Sequence, residues 1–421
     1  MNQKFDIIIG GAGPAGLLLS KELSKYFDVL VLEKENVGKS HITCYTYQDR
    51  VKKYKMHDAV MSTCDKIEFR TIYNHHFMID KCAIIDKNIL LSRWAEDNNS
   101  EFSQENISDV RHYEGSVRVI TNKSEYEADL FIDCMGANSP LIWKKNLVKF
   151  FKVWSCYGGS LTNLNPPDHL QFFPMNDKYN TYLMHYNFGP SRMHAVLFRN
   201  LAENTNPVDI MSSQFKSVMK RFPGAKCEEI LFGNIMTGAL KKTALDNMLF
   251  YGDSGMFTPS ACGMGFNQCL QTHQKMSKEV KQHMDSNQLS EKKLAQITPN
   301  VLNQNAMDFM QIVNKVGFYN NTQEGWKNGV DWLNEMGRDS KYWMRNEFSA
   351  EWGKKALKAF FKTNALVDIA KTVPASEYYF IVKTASRILK NFAVYEAKDL
   401  FYRQRKGLAD RKILRGLFGD K

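Results

Sequence analysis

The chain has 421 residues, of which 43% are hydrophobic, 12% aromatic and 24% charged, a balance that excludes a disordered, collagen-like or wholly coiled-coil protein. That length accommodates two or three domains with cores of their own, so a small scaffold held by disulfides or metal is also excluded. The net charge of +11 is uneven: residues 353–421 carry 16 Lys/Arg against 6 Asp/Glu, a net of +10 that leaves +1 for the first 352 residues.

The N-terminus, MNQKFD, lacks the basic-then-apolar run of a secretory signal. Eight scattered cysteines (Cys44, Cys64, Cys82, Cys134, Cys156, Cys227, Cys262, Cys269) form no C-x-x-C pair, which favours free thiols in a reducing, cytoplasmic setting. No run of 18 apolar residues is present to span a membrane.

The first element is an apolar, β-branched strand at residues 5–9, FDIII. A glycine turn, Gly10-Gly11-Ala12-Gly13-Pro14-Ala15-Gly16, follows, then the helical pattern LLLSKELSKYF and a second strand, DVLVLEK. Gly11, Gly13 and Gly16 have G-x-G-x-x-G spacing, and Glu33 stands seventeen residues beyond the last of them. In that frame Gly11 serves the tight turn, Gly13 admits a pyrophosphate to backbone amides, and Gly16 lets helix and strand pack closely. Pro14 is tolerated in the first helical turn, where an amide has no intrahelical partner. Glu33 is placed to accept hydrogen bonds from an adenosine ribose, with Ala15 in the turn and Lys34 beside it as further contacts.

Near residue 246 the chain reads DNMLFYGDSGMFTPSACGMGFNQCLQTHQKM, a strand ending in Gly252-Asp253 and leading into a second glycine-bearing turn and helix. A third segment, ADLFIDCMGANSP, carries Asp133, Gly136 and Ser139. In order and spacing these three motifs resemble the para-hydroxybenzoate-hydroxylase-like flavoproteins over residues 1–280. The resemblance implies FAD as cofactor, with Asp253 at the ribityl chain and with Asp133, Gly136, Gly252, Gly263, Gly265, Phe266 and Asn267 lining its site. Two departures stand out: Met135 precedes the glycine where the family usually has aspartate, and Ile142 replaces its arginine.

Several branches of that superfamily share the scaffold, so the substrate side must choose between them. Residues 166–174, PPDHLQFFP, resemble the P-x-x-Y-x-W-x-F-P segment of the geranylgeranyl reductases at Pro166, Phe173 and Pro174, with His169 and Gln171 in place of the tyrosine and tryptophan. Cys44 resembles the cysteine that prenyl reductases hold near the flavin. Both halogenase tryptophans of W-x-W-x-I-P are missing, and Lys52, Lys53, Lys55 and Lys66 offer no register for the halogenase lysine. Against this, Gly263-Met264-Gly265-Phe266-Asn267 is closer to the G-x-G-M-N turn of the aromatic hydroxylases.

The leading expectation is therefore reduction of a carbon–carbon double bond in a prenyl or lipid substrate by reduced flavin, with Cys44 and His169 as catalytic candidates. A monooxygenase or halogenase acting through a C4a-peroxyflavin on an aromatic substrate is the alternative, and a non-catalytic flavin protein docked on a membrane is the second. NAD(P)H, ferredoxin or a flavin reductase would supply electrons. His41, His75 and His76 lack companions at metal-ligand spacing.

Between the motifs, KIEFRTIY, SVRVITN, KVWSCYGGSL, NTYLMHYNFG and MHAVLFRN predict strands of a mixed or antiparallel sheet. Its aromatic residues (Phe150, Phe151, Trp154, Tyr157, Phe172, Phe173, Tyr182, Tyr186, Phe188) would suit a cavity floor for a large apolar substrate. From residue 268 onward helical spacing dominates, with Pro374 at a helix start or kink, and Trp326, Trp332, Trp343 and Trp352 predict helices packed on the FAD domain. KKALKAFFK and LADRKILRGLFGDK read as basic amphipathic helices, either a peripheral membrane contact or a solvated face. Nucleic acid is not expected, since no recognised module surrounds the charges.

The expected class is α/β: a Rossmann-like FAD-binding domain from 1–58, 106–148 and 245–285, a mixed β-sheet substrate domain from 59–105 and 149–244, and a helical basic region, 286–421.

Overall fold

The structure is a computed structural model that describes residues 3–39, 43–113, 115–175, 181–201, 207–259, 263–303, 307–313, 323–363, 373, 375, 377–388 and 390. His41, Cys262, Pro374 and the basic segment from 407 onward lie outside the described residues. The chain is α/β, built on two eight-stranded sheets.

The first sheet has at its centre five parallel strands, in spatial order Met248–Phe250, Glu125–Asp133, Gln3–Gly10, Val29–Glu33 and Glu101–Gln104. Parallel strands are buried on both faces, which is why Ile7, Ile8 and Ile9 run on as consecutive apolar residues rather than alternating with polar ones. Ile7 and Ile9 face the helices Pro14–Leu23 and Gly265–Asp285, in one core with Leu17, Leu270 and Met276. Ile8 faces the opposite way, into a core with Val117, Val119 and Phe131 beneath the antiparallel strands Ile107–Tyr113 and Ser116–Thr121.

The second sheet runs Lys226–Leu240, Val148–Thr162, Arg192–Leu201, Thr181–Gly189, Leu170–Pro174, Val60–Arg70, His75–Ile85 and Cys44–Tyr47. It is mixed: Leu170–Pro174 lies parallel to Val60–Arg70 and the other neighbours are antiparallel. Alternation along these strands sends one set of side chains, including Leu161, Leu183, Met193 and Leu197, against Met211 and Phe215 of the helix Pro207–Met219. The other set, including Phe69, Phe172, Tyr186 and Phe198, meets Trp326, Val330, Leu333 and Trp343.

Three expectations are corrected here. Trp352 packs among the helices against Phe309, Trp332 and Phe348, while Trp326, Trp332 and Trp343 pack on the second sheet, not on the dinucleotide-type sheet, with Trp326 5.7 Å from Tyr182 and Trp343 6.0 Å from Phe69, ring centre to ring centre. His76 holds that contact with both ring nitrogens, at 2.9 Å to Asn334 Oδ1 and 2.9 Å to Ser340 Oγ. The segment 59–105 divides, since the helix Lys87–Glu96 buries Leu90, Leu91 and Trp94 in the first core and Glu101–Gln104 completes the first sheet's edge. Phe150 and Phe151 do not line a cavity floor; at 40% and 48% exposure they stand at the surface.

Candidate flavin and substrate site

The first glycine turn leaves the strand Gln3–Gly10 with Gly11 at φ +97°, where a Cβ would lie 2.6 Å from the carbonyl oxygen of Cys134. Only glycine fits both constraints. A Cβ on Gly16 would approach the Gly11 carbonyl oxygen to 1.9 Å, so the helix seats against the turn as the spacing predicts. Gly13 caps the helix Pro14–Leu23 without a side-chain hydrogen bond, and a Cβ built there meets nothing within 4 Å. The first-turn amides thus face open space of the kind an anionic pyrophosphate would fill.

Glu33 ends its strand half-buried, with Oε2 accepting from Ala12 N at 2.7 Å and Oε1 from Glu35 N at 3.1 Å. Its carboxylate is fixed over the turn by these amides. Lys34 beside it is exposed and sits 4.0 Å from Glu35.

The second turn is built against the first. Gly252 has φ +69°, and the N-terminus of the helix Gly265–Asp285 arrives beside it: a Cβ on Gly265 would lie 2.8 Å from Asp253 Oδ1. Asp253 also accepts from Thr258 Oγ1, and burial raises its carboxyl above the usual range. Two helix N-termini without side-chain caps therefore flank Gly252 and Asp253. These residues fit a pyrophosphate–ribityl cofactor: open space before Gly13, a fixed acid at the ribose position and a partly buried acid between the helices.

Other expected contacts have different work. Asp133 is fully buried beneath the third segment, accepting from Ser139 Oγ at 2.5 Å and Met135 N at 3.0 Å, and burial pushes its carboxyl up to about 6. It ties the turn at Gly136, whose own Cβ position is open. Asn267 is buried, its Oδ1 accepting from Thr46 Oγ1 and Arg50 Nη1, both at 2.7 Å, while its Nδ2 donates to Tyr45 O at 2.9 Å. The side chain clamps the long helix to the strand Cys44–Tyr47. Phe266 stacks on Trp94 at 6.2 Å, and Gly263, at φ +63°, abuts Ile235.

Cys44 opens that same strand, half-buried, with burial pushing its thiol up to about 12, so it remains protonated at neutral pH. Lys87, at the start of the helix Lys87–Glu96, acts electrostatically on both Cys44 and Asp253 and so lies at the junction of the two sheets. Lys52, Lys53 and Lys55 are exposed, and Lys66 pairs with Asp168 at 3.7 Å, away from this junction.

Next to Cys44 is a buried polar group that the sequence did not announce. Tyr186 OH, Thr43 Oγ1 and His194 Nδ1 form a closed triangle of 2.6, 3.2 and 3.1 Å. Tyr186 and His194 are register partners on adjacent antiparallel strands, and Cys44 and Cys156 are close enough to act on the tyrosine. Burial raises the Tyr186 hydroxyl and lowers His194 to about 4, so both are neutral at physiological pH.

His169 belongs elsewhere. Leu170 and Phe172 point into the core that holds Tyr186, so His169 and Gln171 face the other side of the sheet. There His169 bonds Asp168 at 2.8 Å and Glu68 at 3.0 Å, Gln171 donates to Glu68, and His185 closes the chain on Gln171 at 2.7 Å beneath Phe222. Cys44 packs against the first core while His169 sits with Glu68, Gln171 and His185, and among the described residues no hydrogen bond or ring contact joins the two.

No protein-family model matches this chain, and no curated protein matches it. Solved structures do. A geranylgeranyl bacteriochlorophyll reductase-like protein from Thermoplasma acidophilum superposes with a TM-score of 0.70 at 12% identity, covering 88% of this chain and 100% of that one. This chain shares its fold. The flavin-dependent brominase Bmp2 gives 0.66 at 16% identity over 88% and 100% of the two chains. Halogenase PltM in complex with phloroglucinol and FAD gives 0.64 at 14% over 93% and 96%. Such likenesses agree with the architecture that the three motifs imply and leave the reaction to the site's own residues.

Proposed function

We propose that the protein is an FAD-dependent oxidoreductase that reduces a carbon–carbon double bond in a hydrophobic, prenyl-like or lipid substrate. The observation that carries this reading is the neutral Tyr186–Thr43–His194 group beside Cys44, set in an otherwise aromatic and aliphatic sheet face. That face reaches the second glycine turn through Met264, whose sulfur accepts from Tyr45 OH at 3.2 Å.

Bound FAD in its reduced state would supply the two electrons, recharged by NAD(P)H, ferredoxin or a flavin reductase. Gly11, Gly13 and Gly16, with Glu33 and Asp253, would hold it as described above. The chain's own part in the chemistry is the proton. Tyr186, kept protonated by burial, donates its hydroxyl proton to the alkene carbon opposite the one that takes the hydride, Thr43 and His194 fix its orientation, and the resulting tyrosinate takes a proton from water once the product leaves. The Cys44 thiol packs toward the first core, near enough to act on Tyr186, and stays protonated. Apolar walls exclude water and align a flexible substrate, which a polar floor would not do.

The second reading, oxygen-dependent hydroxylation or halogenation of an aromatic ring, rests on a different observation: Lys87 stands at the sheet junction, where an ammonium could bind an oxidised reagent. Anaerobic stopped-flow mixing of the reduced protein with a geranylgeranyl lipid separates the two. Return of oxidised-flavin absorbance without oxygen supports the reductase. No return with the lipid, but rapid reaction with oxygenated buffer that Lys87→Met slows, would replace it with the oxygen-dependent reading.

A further inference from the structure

Residues 134–167 and 230–245 contain no aspartate or glutamate, and they pair across the second sheet. Where they come together, at the end of the sheet nearest the helix Pro140–Lys144, three aromatic rings are exposed: Trp143 at 41%, Phe150 at 40% and Phe151 at 48%. Trp143 and Phe151 meet edge to face at 5.1 Å. With Val148, Asn146 and Lys149 they line an open groove of about 350 Å³.

Lysines ring this patch. Lys144 and Lys145 place their ammonium groups on the carbonyls of Ser108 and Val110, Lys241 on Asn146, and Lys149 is exposed at the groove itself. Among the described residues no carboxylate forms a salt bridge with any of the four. Asp109, the acid that feels Lys145, is taken up by Arg111 at 2.9 Å. Another exposed apolar pair on this sheet, Ile230 and Phe232, sits beside Glu228 and Glu229 and has no such cationic rim.

We infer that this face docks on an anionic lipid surface. Trp143, Phe150 and Phe151 enter the boundary between headgroups and acyl chains, where an indole can bury its ring and keep its N–H near polar groups. Lys144, Lys145, Lys149 and Lys241 lie at the level of the lipid phosphates and add an electrostatic attraction that extends over about a Debye length. A protein partner of ordinary composition would bring acids to the lysines but not a fluid apolar layer for three rings at once. The inference rests on this surface alone, so it stands or falls independently of the reaction proposed above.

The test uses full-length holoprotein and sedimentation with two vesicle preparations, pure phosphatidylcholine and phosphatidylcholine containing phosphatidylglycerol. The expected result is binding to the anionic vesicles that weakens with salt, and little to the neutral ones. Lys149→Gln should weaken it roughly fivefold, the contribution of one lysine near an anionic surface. Trp143→Ser with Phe151→Ser should weaken it by about tenfold or more, from the apolar area lost. Unchanged flavin content in each variant confirms that it folds. Anionic-vesicle binding that neither variant alters would overturn the proposal in favour of another segment, such as the basic C-terminus. No binding by the unaltered protein overturns it as well, and so does a dimer in light scattering that the Trp143→Ser, Phe151→Ser variant dissociates, which would make the face a contact between two copies.

Discussion

Ala15 and Gly252, 237 positions apart in sequence, are in direct contact: a Cβ on Gly252 would begin 2.7 Å from that of Ala15. The contact brings the N-terminus of the helix Pro14–Leu23 to the second glycine turn and so sets the spacing between the two halves of the cofactor cradle. Gly252→Ala adds a clash there and forces a side chain onto φ +69°. Flavin occupancy of the purified variant should fall roughly tenfold or more, the scale of a backbone strain of 1–3 kcal/mol. Absorbance of the protein-bound flavin per chain measures it, with far-ultraviolet circular dichroism as the check that secondary structure persists. Full occupancy would mean that the two turns do not form one site.

The Tyr186 hydroxyl is the proton donor in the proposed reduction. Tyr186→Phe should slow substrate-driven flavin reoxidation by about 10²-fold or more while leaving flavin content unchanged, the range expected for loss of a general acid. His169→Asn, on the other side of the sheet, should leave that rate unaltered. A variant pair with the reverse pattern would move the chemistry to the His169–Glu68 face.

How far the sequence anticipates this arrangement depends on distance along the chain. The first turn is legible because its glycines, strand and acid fall within 29 residues and each answers to local geometry. Asn267 looks like a cofactor contact in its motif, yet its partners Thr46 and Arg50 lie 221 and 217 residues away, and nothing local announces that they take its amide. His169 could have been placed: alternation alone puts it opposite Leu170, and the apolar run LQFFP hides which face is the core. Tyr186 and His194 sit in two segments read as strands, but only the hairpin register makes them opposite neighbours. Lys87 reaches the site from a helix start, a position without a motif.

Arg345 joins the C-terminal helices to the second sheet. Its guanidinium is bidentate to Asp80 at 2.6 and 2.7 Å, with the two side chains 13% and 5% exposed, and it also reaches Asp49 and covers the Tyr47 ring. Arg345→Met leaves the Asp80 carboxylate buried and unpaired, and should destabilise the protein by about 3–5 kcal/mol. Combining it with Asp80→Asn should recover part of that loss, because the stranded charge is removed. Denaturant midpoints of the single and double variants measure the coupling, and additive losses would show that the pair acts only as packing.

Burial lowers four histidines, His76, His185, His194 and His273, and the two lowered furthest carry a definite share of the acid stability. Burial lowers both His194 and His185 to about 4, against 6.5 for the imidazole in the unfolded chain. Between those values the unfolded chain takes up a proton that the native protein refuses, so stability rises with pH through this window and is fully present above 6.5. On going from pH 7 to pH 5 each histidine should withdraw about 2 kcal/mol, from 1.36 kcal/mol per pH unit over the part of the window crossed. His194→Asn removes one of the two and should flatten the loss by about half of their joint share, whatever it does to stability at pH 7. Urea unfolding at pH 7 and pH 5 reads the difference directly. An equal acid loss with and without His194 would mean that its ring is protonated in the native state, and the neutral Tyr186–Thr43–His194 group would have to be redrawn with a charge at its centre.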